Sequence, residues 1–321
     1  MKSYLLKRLG WLVPVMFLVS VISFLLIYLS PGDPVVLFFS KGGDVPNQAA
    51  IEAMRERLGL NAPLWQQYLS WITGVLQGDF GRSIVSGRPV LSEILKHFPN
   101  TLKLTILAMG LTLLVSLPLG ILAALRENRA EDYLIRILSF INSSLPGFFA
   151  GVLLIYIFSV KLRLLPTISS GSARGIVLPT LTLVICLSAT YVRQVRAALL
   201  KEMGEEYIRM IRARGVKERW IWLRSALKRT LPTILTLAGV NIGHLLGGTA
   251  IIEIVFTYPG VGRLAVQAIT DRDYPLIQGY VLLMAVIYVA VNLLVDILHA
   301  YADPLVKQTI AGKRGELGKK A

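Results

Sequence analysis

The sequence is poor in charged residues and in cysteine. Only 17% of its 321 residues are charged, whereas 54% are hydrophobic, and the mean hydropathy is +0.62. Such a composition cannot cover a water-facing surface, which excludes ordinary soluble domains, soluble repeat arrays and disordered chains. The single cysteine, Cys186, excludes an intramolecular disulfide and a thiolate metal cluster. The composition predicts a polytopic membrane protein.

Several motifs that carry chemistry are also missing. No G-x-x-x-x-G-K-[ST] occurs, so the chain has no phosphate-cradling loop of its own. No H-E-x-x-H, G-x-S-x-G or paired carboxylates point to a membrane-embedded enzyme. His244 has no second ligand residue at metal-binding spacing, and a satisfied interior histidine is the simpler interpretation. We therefore expect no catalytic residue, no metal site and no cofactor on this chain.

Six apolar stretches are long enough to cross a bilayer core of about 30 Å as helices. They are residues 9–29, 101–125, 137–160, 176–191 (extending towards 199), 233–256 and 276–300. The third is interrupted at 143–147, which contains Pro146 and Gly147. The first stretch is too long for a cleaved signal peptide and has no small-x-small cleavage site, so we interpret it as a retained anchor.

The distribution of Lys and Arg predicts the orientation. With six spans both ends lie on one side, and that side holds 22 of the 34 basic residues, eleven of them in residues 193–229. The positive-inside rule places both termini and this loop in the cytoplasm. The net charge of +15 is then explained by topology, and no nucleic-acid partner is needed.

Residues 31–99 form the sizeable segment on the outer side. Apolar spacing predicts two short helices, at 48–58 and 63–76. Six basic and six acidic residues make the segment neutral. Nearly 70 residues is long for a plain connection, so both a functional cap and a passive connector stay open.

The cytoplasmic loop between spans four and five contains a short amphipathic helix. Glu205 and Glu206 open it, arginines follow, and Gly215 stands at the stop position, so both ends suit the helix dipole. The spacing predicts a shared face for Tyr207, Met210, Ile211 and Arg214. A second helix is predicted at 217–229, before Pro232 in the first turn of span five. The first helix either docks on a protein or lies on anionic lipid.

Span five carries glycines at four-residue intervals. Gly239, Gly243 and Gly247 form a small-xxx-small ridge on which another helix can pack closely. The neighbouring helix can belong to a second subunit or to the same chain, and the spacing does not distinguish the two.

Several strings in this order resemble one family. In the loop they are EYIR at 206–209, ARGV at 213–216, LRSALK at 223–228 and LP at 231–232; elsewhere they are PGDP at 31–34, GDFG at 78–81, YPGVGR at 258–263, RDYP at 272–275, NLLVD at 292–296 and DP at 303–304. Over residues 1–307 the chain resembles permeases of ATP-binding-cassette (ABC) importers, and more narrowly the first permease of the dipeptide/oligopeptide/nickel family. One departure is that the superfamily's Glu-Ala-Ala triplet falls on RMI at 209–211.

The resemblance implies an all-α, six-span, type I importer permease in the bacterial inner membrane. Its loop helix would couple to ATPase subunits through Glu205, Glu206, Tyr207, Arg209, Met210, Ala213, Arg214, Gly215 and Val216. The implied partners are a second homologous permease in a heterodimer, two ATPases that carry ATP and Mg²⁺, and an extracytoplasmic solute-binding protein. Peptides, glutathione, nickel and metallophores are all substrates of such permeases, and the substrate-binding residues stay unknown.

The remaining expectations concern domains and the alternative function. We expect an anchor at 1–30, the cap at 31–99, a five-helix core at 100–300 with the coupling loop at 200–230, and a tail at 301–321. An ion-coupled secondary carrier is the alternative. Carriers usually place carboxylates or histidines inside the membrane, and here only His244 lies mid-span, with Glu253 and Asp296 nearer the span ends.

Overall fold

The computed structural model describes residues 2–29, 35–36, 48–57, 61–169 and 172–302, and regular structure in these ranges is helical except for one antiparallel bridge between Arg82 and Pro89. The helices are α1 (Lys2–Tyr28), α2 (Gln48–Arg57), α3 (Leu64–Leu76), α4 (Val90–Leu125), α5 (Ala130–Ser144), α6 (Gly147–Leu154), α7 (Val177–Met203), α8 (Glu206–Ala213), α9 (Glu218–Trp220), α10 (Leu227–Gly248), α11 (Ala250–Val255), α12 (Val261–Asp271) and α13 (Tyr274–Ala302). A π-helical segment, Ile155–Lys161, extends α6, and a second, Ile221–Ala226, joins α9 to α10. The all-α prediction is confirmed.

Four helices in the described ranges are long and apolar enough to cross a membrane. They are Val90–Leu125, Val177–Met203, Glu218–Gly247 and Tyr274–Val295. The pair α5 and α6 gives a fifth span if it is counted as one, and α1 contributes a shorter apolar stretch, Leu12–Leu25. The count of six spans and the cytoplasmic position of the termini stay predictions. The strings at 31–34 and 303–304 lie outside the described residues.

Helix α4 begins earlier than the apolar pattern indicates. It starts at Val90 instead of near Thr101, directly after Pro89. Its 36 residues span about 54 Å, which exceeds the hydrocarbon thickness of about 30 Å. The boundary expected at residue 99 therefore falls inside a helix, and the last ten residues of the expected cap are its first turns.

The second loop helix does not stop before span five, contrary to the sequence prediction. Residues 218–248 form one continuous helical path through the π-helical segment, and Pro232 lies inside α10. The Thr236 hydroxyl donates to the Pro232 carbonyl at 2.9 Å. Helices packed by neighbours tolerate an internal proline, which a pattern read from the sequence alone treats as a boundary.

The described residues divide into two compact units, of which the larger contains those of 102–258 and 290–302. Its core is formed by side chains of α4, α7, α10 and α11 together with Tyr258. A Cβ at Gly120 would lie 2.7 Å from the Val195 side chain, and one at Gly239 would lie 2.2 Å from Val295. These two glycines therefore permit close helix packing within the unit.

The chain turns sharply between α5 and α6. The two helices meet at 98°, and Leu145 between them is extended, with φ −87° and ψ 126°. Pro146 explains this conformation, because a residue that precedes proline is driven out of the helical region. The Asn142 side chain donates to the Ile185 carbonyl of α7 beside the break. The predicted interruption of the third span is confirmed.

A buried ion pair joins the start of α5 to α7. Asp132 is fully buried, and both its oxygens accept from the Arg196 guanidinium at 2.7 Å. The backbone N–H of Asn128 donates to the same carboxylate at 3.0 Å. Arg193, one turn before Arg196, donates to the Ser143 hydroxyl at 2.6 Å. The C-terminal half of α7 is thus bonded to both ends of α5, through Arg196 at its start and Arg193 at its end.

The smaller unit contains the described residues of 2–101 and 259–289. Its core is apolar and lies between the start of α4, α12 and α13. The YPGVGR string contacts α4 through two hydrogen bonds: Asn100 Nδ2 donates to the Pro259 carbonyl at 2.8 Å, and the Val261 N–H donates to Thr101 Oγ1 at 2.9 Å. Helix α3 packs on α1, where the Tyr68 and Phe24 rings meet edge to face at 5.5 Å.

Asp273, in the RDYP string, fixes an exposed loop of this unit. Its carboxylate accepts from the Ser83 hydroxyl and from the Ile84 N–H, the latter at 3.1 Å. The side chain is almost fully buried, whereas Val85 and Arg88 of the loop are exposed. The loop therefore presents a fixed surface next to the start of α13.

Candidate functional site

The predicted loop helix is present as α8, Glu206–Ala213. Glu205 precedes it in extended conformation, Glu206 lies in its first turn and Arg212 in its last turn, so both helix ends are complemented by charge. Arg214 ends the helix by donating its N–H to the Met210 carbonyl at 3.2 Å.

Gly215 stops the helix as the sequence predicts. Its φ is +77°, in the left-handed region, and its N–H donates to the Arg212 carbonyl at 3.0 Å. A side chain is disfavoured here by the backbone conformation alone, because a Cβ would meet none of the described atoms within 4 Å.

One face of α8 is attached to the helices that the loop connects. Ile208 is fully buried, and Tyr207 and Ile211 are half-buried. The Tyr207 hydroxyl donates to Glu202, near the end of α7, at 2.6 Å. The Arg229 guanidinium, from the first turn of α10, lies 4.0 Å from the centre of the Tyr207 ring and 3.8 Å from the Glu202 carboxylate. Tyr207 therefore touches both flanking helices, and we call Glu202, Tyr207 and Arg229 the joint.

The protonation state of Tyr207 is fixed over the physiological range. Burial, and then the hydrogen bond to the Glu202 carboxylate, raise the pKa of Tyr207 well above its usual value near 10. Because the pKa is raised on folding, the protonated Tyr207 hydroxyl contributes to the stability of the folded protein. This stabilisation is fully present below about pH 10 and is lost only at more alkaline pH. The joint does not titrate through Tyr207 near neutrality.

The opposite face of α8 is exposed. Glu206, Arg209, Met210 and Ala213 lie on it, and the Met210 side chain is 60% exposed. This differs from the predicted common face of Tyr207, Met210, Ile211 and Arg214, because Tyr207 and Ile211 point towards their own chain. The adjacent Tyr207 and Ile208 with Ile211 one turn later form the apolar triple that marks the inner face.

A salt bridge closes the turn after α8. Arg212 donates from Nε and from Nη2 to the two carboxylate oxygens of Glu218 across Gly215. Both side chains are about half exposed and screened by water, so the pair adds little stability and mainly orients the turn. Arg214 and Val216, beside it, are exposed.

Glu202, Glu218 and Arg229 are site residues that no local sequence pattern indicates. Their partners lie five, six and twenty-two positions away along the chain, across turns, and these spacings have no regular helical signature.

The glycines of the ridge on α10 differ in what surrounds them. Gly239 lies against Val295 of the same chain, whereas Gly247 is exposed and a Cβ there would meet none of the described atoms. Gly243 is buried. His244 is exposed on the same helix, and the described residues include no cluster of His, Cys, Asp or Glu that could hold a metal ion.

Comparisons with known proteins show the family of the chain. The profile described as "Binding-protein-dependent transport system inner membrane component" matches residues 116–308, and the corresponding N-terminal profile matches 1–105. The glutathione transport system permease protein GsiC of Escherichia coli (strain K12) is 40% identical over 307 residues, which cover 96% of this chain and 99% of the relative. The protein of the same name from Shigella dysenteriae serotype 1 (strain Sd197) matches equally well.

Solved structures share the fold at low identity. Two inward-facing crystal forms of the MetNI methionine ABC transporter match with TM-scores of 0.54 and 0.56, at 19% and 20% identity. Both matches cover 66% of this chain, and they cover 97% and 96% of the solved chains. At this identity the likeness concerns the fold alone.

Proposed function

The chain belongs to the family of binding-protein-dependent transport system inner membrane components, and from this premise we propose that it forms half of the translocation pore of an ATP-driven importer of peptide-like substrates. It is an ABC-importer permease of the dipeptide/oligopeptide type, with the type I fold, and it resides in the inner membrane. Its family consists of transport permeases, not enzymes. The comparisons give no support to an ion-coupled carrier.

The single observation that carries the coupling role is the two-sided helix α8. Its outer face exposes Arg209, Met210 and Ala213, while its inner face is bonded to α7 and α10 through the joint. We assign the outer face to docking in a cleft of the ATPase subunit. An eight-residue helix surrounded by arginines is too short and too polar to enter the membrane, which supports a protein partner.

The joint explains how ATPase movement would reach the pore. Closure of the ATPase dimer displaces α8, and Tyr207 transmits the displacement to Glu202 on α7 and Arg229 on α10. Both helices are long enough to span the membrane, so a shift at their inner ends tilts whole spans and alternates access to the pore. Hydrolysis itself takes place on the partner subunits, where ATP and Mg²⁺ bind.

The proposed assembly has five chains. A second homologous permease completes the pore, two ATPases dock on the coupling helices, and a solute-binding protein delivers substrate from outside. Membership of a binding-protein-dependent family supports the ATPases and the binding protein. The heterodimer is our inference from the resemblance to the first permease of peptide importers.

We propose a small peptide as the substrate, with glutathione as the first candidate. The relatives that align over 96% of this chain are glutathione permeases, and glutathione is a tripeptide. Nickel and metallophore complexes are the second class that the resemblance suggests, and they receive no support from these relatives.

Uptake measurements test this function. Cells that express the complete transporter should accumulate labelled glutathione or a labelled dipeptide in a manner that requires active ATPase subunits and survives an ionophore that collapses ion gradients. Labelled nickel is the matched competitor substrate. Uptake that persists with inactive ATPases, or that stops with the ionophore alone, would contradict an ATP-driven importer. Uptake of nickel without any peptide would contradict the substrate class.

The cap is assigned to contact with the solute-binding protein. Its loop is exposed at residues 85–88 and is fixed by bonds from Ser83 and Ile84 to the Asp273 carboxylate, which suits a docking surface. Deletion of residues 47–76 should abolish uptake while the protein remains in the membrane. Unchanged uptake by a correctly inserted deletion variant would favour the passive connector.

A further inference from the structure

An apolar groove lies where the end of α4, the end of α7 and the π-helical segment Ile221–Ala226 meet. Its volume is about 200 Å³. Six apolar side chains and one arginine line it: Ile121, Leu125, Leu199, Arg219, Trp222, Leu223 and Leu227. Leu125 and Leu223 are about half exposed, so the groove opens to the outside of the unit.

The groove lies at the level where the apolar helices become charged. Leu125 is the last residue of α4 and is followed by Arg126 and Arg129. Leu199 lies one turn before the end of α7, and Lys201 follows it. With the orientation that the basic residues predict, this is the boundary between hydrocarbon and water at the inner leaflet.

The interior of the groove suits a hydrocarbon chain. Apolar cavities of comparable size stay dry and take up apolar molecules, because water finds no polar partners in them. The open side, formed by Leu125 and Leu223, would let a lipid chain enter laterally from the bilayer.

The rim of the groove suits an anionic headgroup. Arg219 lines the groove, and the Arg224 guanidinium lies 4.4 Å from the centre of the Trp220 ring, with Arg219 on the same ring at 5.5 Å. The adjacent carboxylate, Glu218, is bonded to Arg212. Guanidinium groups bind phosphate oxygens in a bidentate manner, and tryptophan is enriched at this depth in membranes.

The wall of the groove has an uncommon backbone. Trp222 and Leu223 belong to the π-helical segment, and π-helical turns occur frequently at functional sites. This segment connects the turn after α8 to α10, so an occupant of the groove would contact the connection between the coupling loop and a membrane span.

We propose that this groove binds an anionic phospholipid of the inner leaflet, with an acyl chain along the apolar wall and the phosphate on Arg219 and Arg224. The inference rests on the proposed function only for the position of the groove at the cytoplasmic side. Negative lipids are enriched in that leaflet and are attracted by clustered arginines. The bound lipid would hold the π-helical segment in the geometry on which the coupling loop depends.

Fluorescence quenching by brominated lipids tests the proposal on the complete transporter in nanodiscs. The chain has five tryptophans, and comparison with Trp222→Phe isolates the contribution of the groove. Phosphatidylglycerol with brominated chains should quench this contribution at mole fractions at least about fivefold lower than brominated phosphatidylcholine does. The preference should be lost in the double variant Arg219→Gln/Arg224→Gln and retained in Lys217→Gln, which removes a charge from the same loop outside the groove.

A second readout keeps the test independent of folding of the double variant. Phosphatidylglycerol extracted from the purified parent complex should be enriched over the bulk membrane, and Leu223→Ser should reduce the enrichment, whereas Leu231→Ser, outside the groove, should not. Equal quenching by both lipids would overturn the proposal. Loss of the ATPase subunits from the double variant with lipid preference unchanged would make the groove part of the ATPase interface instead. Neither readout requires transport, so failure of the uptake assay would be distinguished from failure here.

Discussion

At the scale of single residues, Tyr207 and Met210 of α8 lie in different surroundings. They are three positions apart on one short helix, yet Tyr207 is bonded to Glu202 and Arg229, while Met210 is exposed. A spacing of three residues turns a helix by about 300°, so the two side chains share an edge but not the same centre. The fully buried Ile208 decides which edge faces the protein.

Gly215 gives a prediction that separates backbone strain from contacts. Gly215→Val should destabilise the turn by about 1–2 kcal/mol, because a β-branched residue is disfavoured at a φ of +77° and the described neighbours leave space for the side chain. Gly215→Asn, which tolerates the left-handed region, is the matched control and should behave nearly like the parent. Substrate-stimulated ATP hydrolysis in proteoliposomes measures the effect. Equal loss in both variants would mean that the site needs empty space and not the conformation.

At the scale of helices, the connections between α5, α7 and the coupling loop are polar; the one at Asp132 is buried, whereas the joint is partly exposed. The pair Asp132–Arg196 joins the start of α5 to the C-terminal half of α7, and the joint lies at the end of α7. Buried polar contacts impose defined geometry more than they add net stability. Such contacts let a displacement of the loop act on whole helices.

The ion pair gives a prediction of its own. Asp132→Asn should lower stability by about 2–3 kcal/mol, because Arg196 would keep its charge in a largely buried position; the loss is smaller than for a fully enclosed pair since Arg196 is 18% exposed. The double variant Asp132→Leu/Arg196→Met should recover most of the loss. Thermal unfolding of the purified protein measures both. A double variant no more stable than Asp132→Asn would show that the charges add net stability.

The sequence predicts the helices better than it predicts the contacts between them. Periodicity and charge order predict α8 and its end at Gly215, and Pro146 predicts the break between α5 and α6. Each of these features depends on residues that are neighbours in the sequence. The early start of α4, the continuous path through Pro232 and the joint depend on contacts between distant segments. Local patterns carry no signal for such contacts, and a proline inside a packed helix is misinterpreted as a helix boundary.

At the scale of the whole molecule, composition and charge account for the class of protein. The apolar content requires a bilayer, and the excess of Lys and Arg in alternate loops predicts the orientation of the chain. Family membership then gives the transport role, to which the two faces of α8 add a residue-level hypothesis.

Cysteine labelling tests the predicted orientation. In a Cys186→Ser background, Gln48→Cys should react with a membrane-impermeant reagent added outside, and Lys217→Cys should react only after the cells are opened. Both positions are exposed, so accessibility depends on the side of the membrane. Labelling of Gln48→Cys only from the inside would reverse the topology and remove the coupling loop from the cytoplasm.

The central claim is that α8 docks on the ATPase with one face and transmits movement with the other, and comparison of Met210→Glu with Tyr207→Phe in the purified complex tests it most directly. Met210→Glu places a charge in the docking face and should reduce co-purification of ATPase subunits about tenfold or more. Tyr207→Phe removes only the hydrogen bond to Glu202, so the ATPases should stay bound while substrate-stimulated ATP hydrolysis falls towards the basal rate. The difference from the parent should be the same at about pH 7 and pH 9, because the raised pKa keeps the Tyr207 phenol of the parent protonated at both. Full ATPase binding and normal stimulation in both variants would contradict the account.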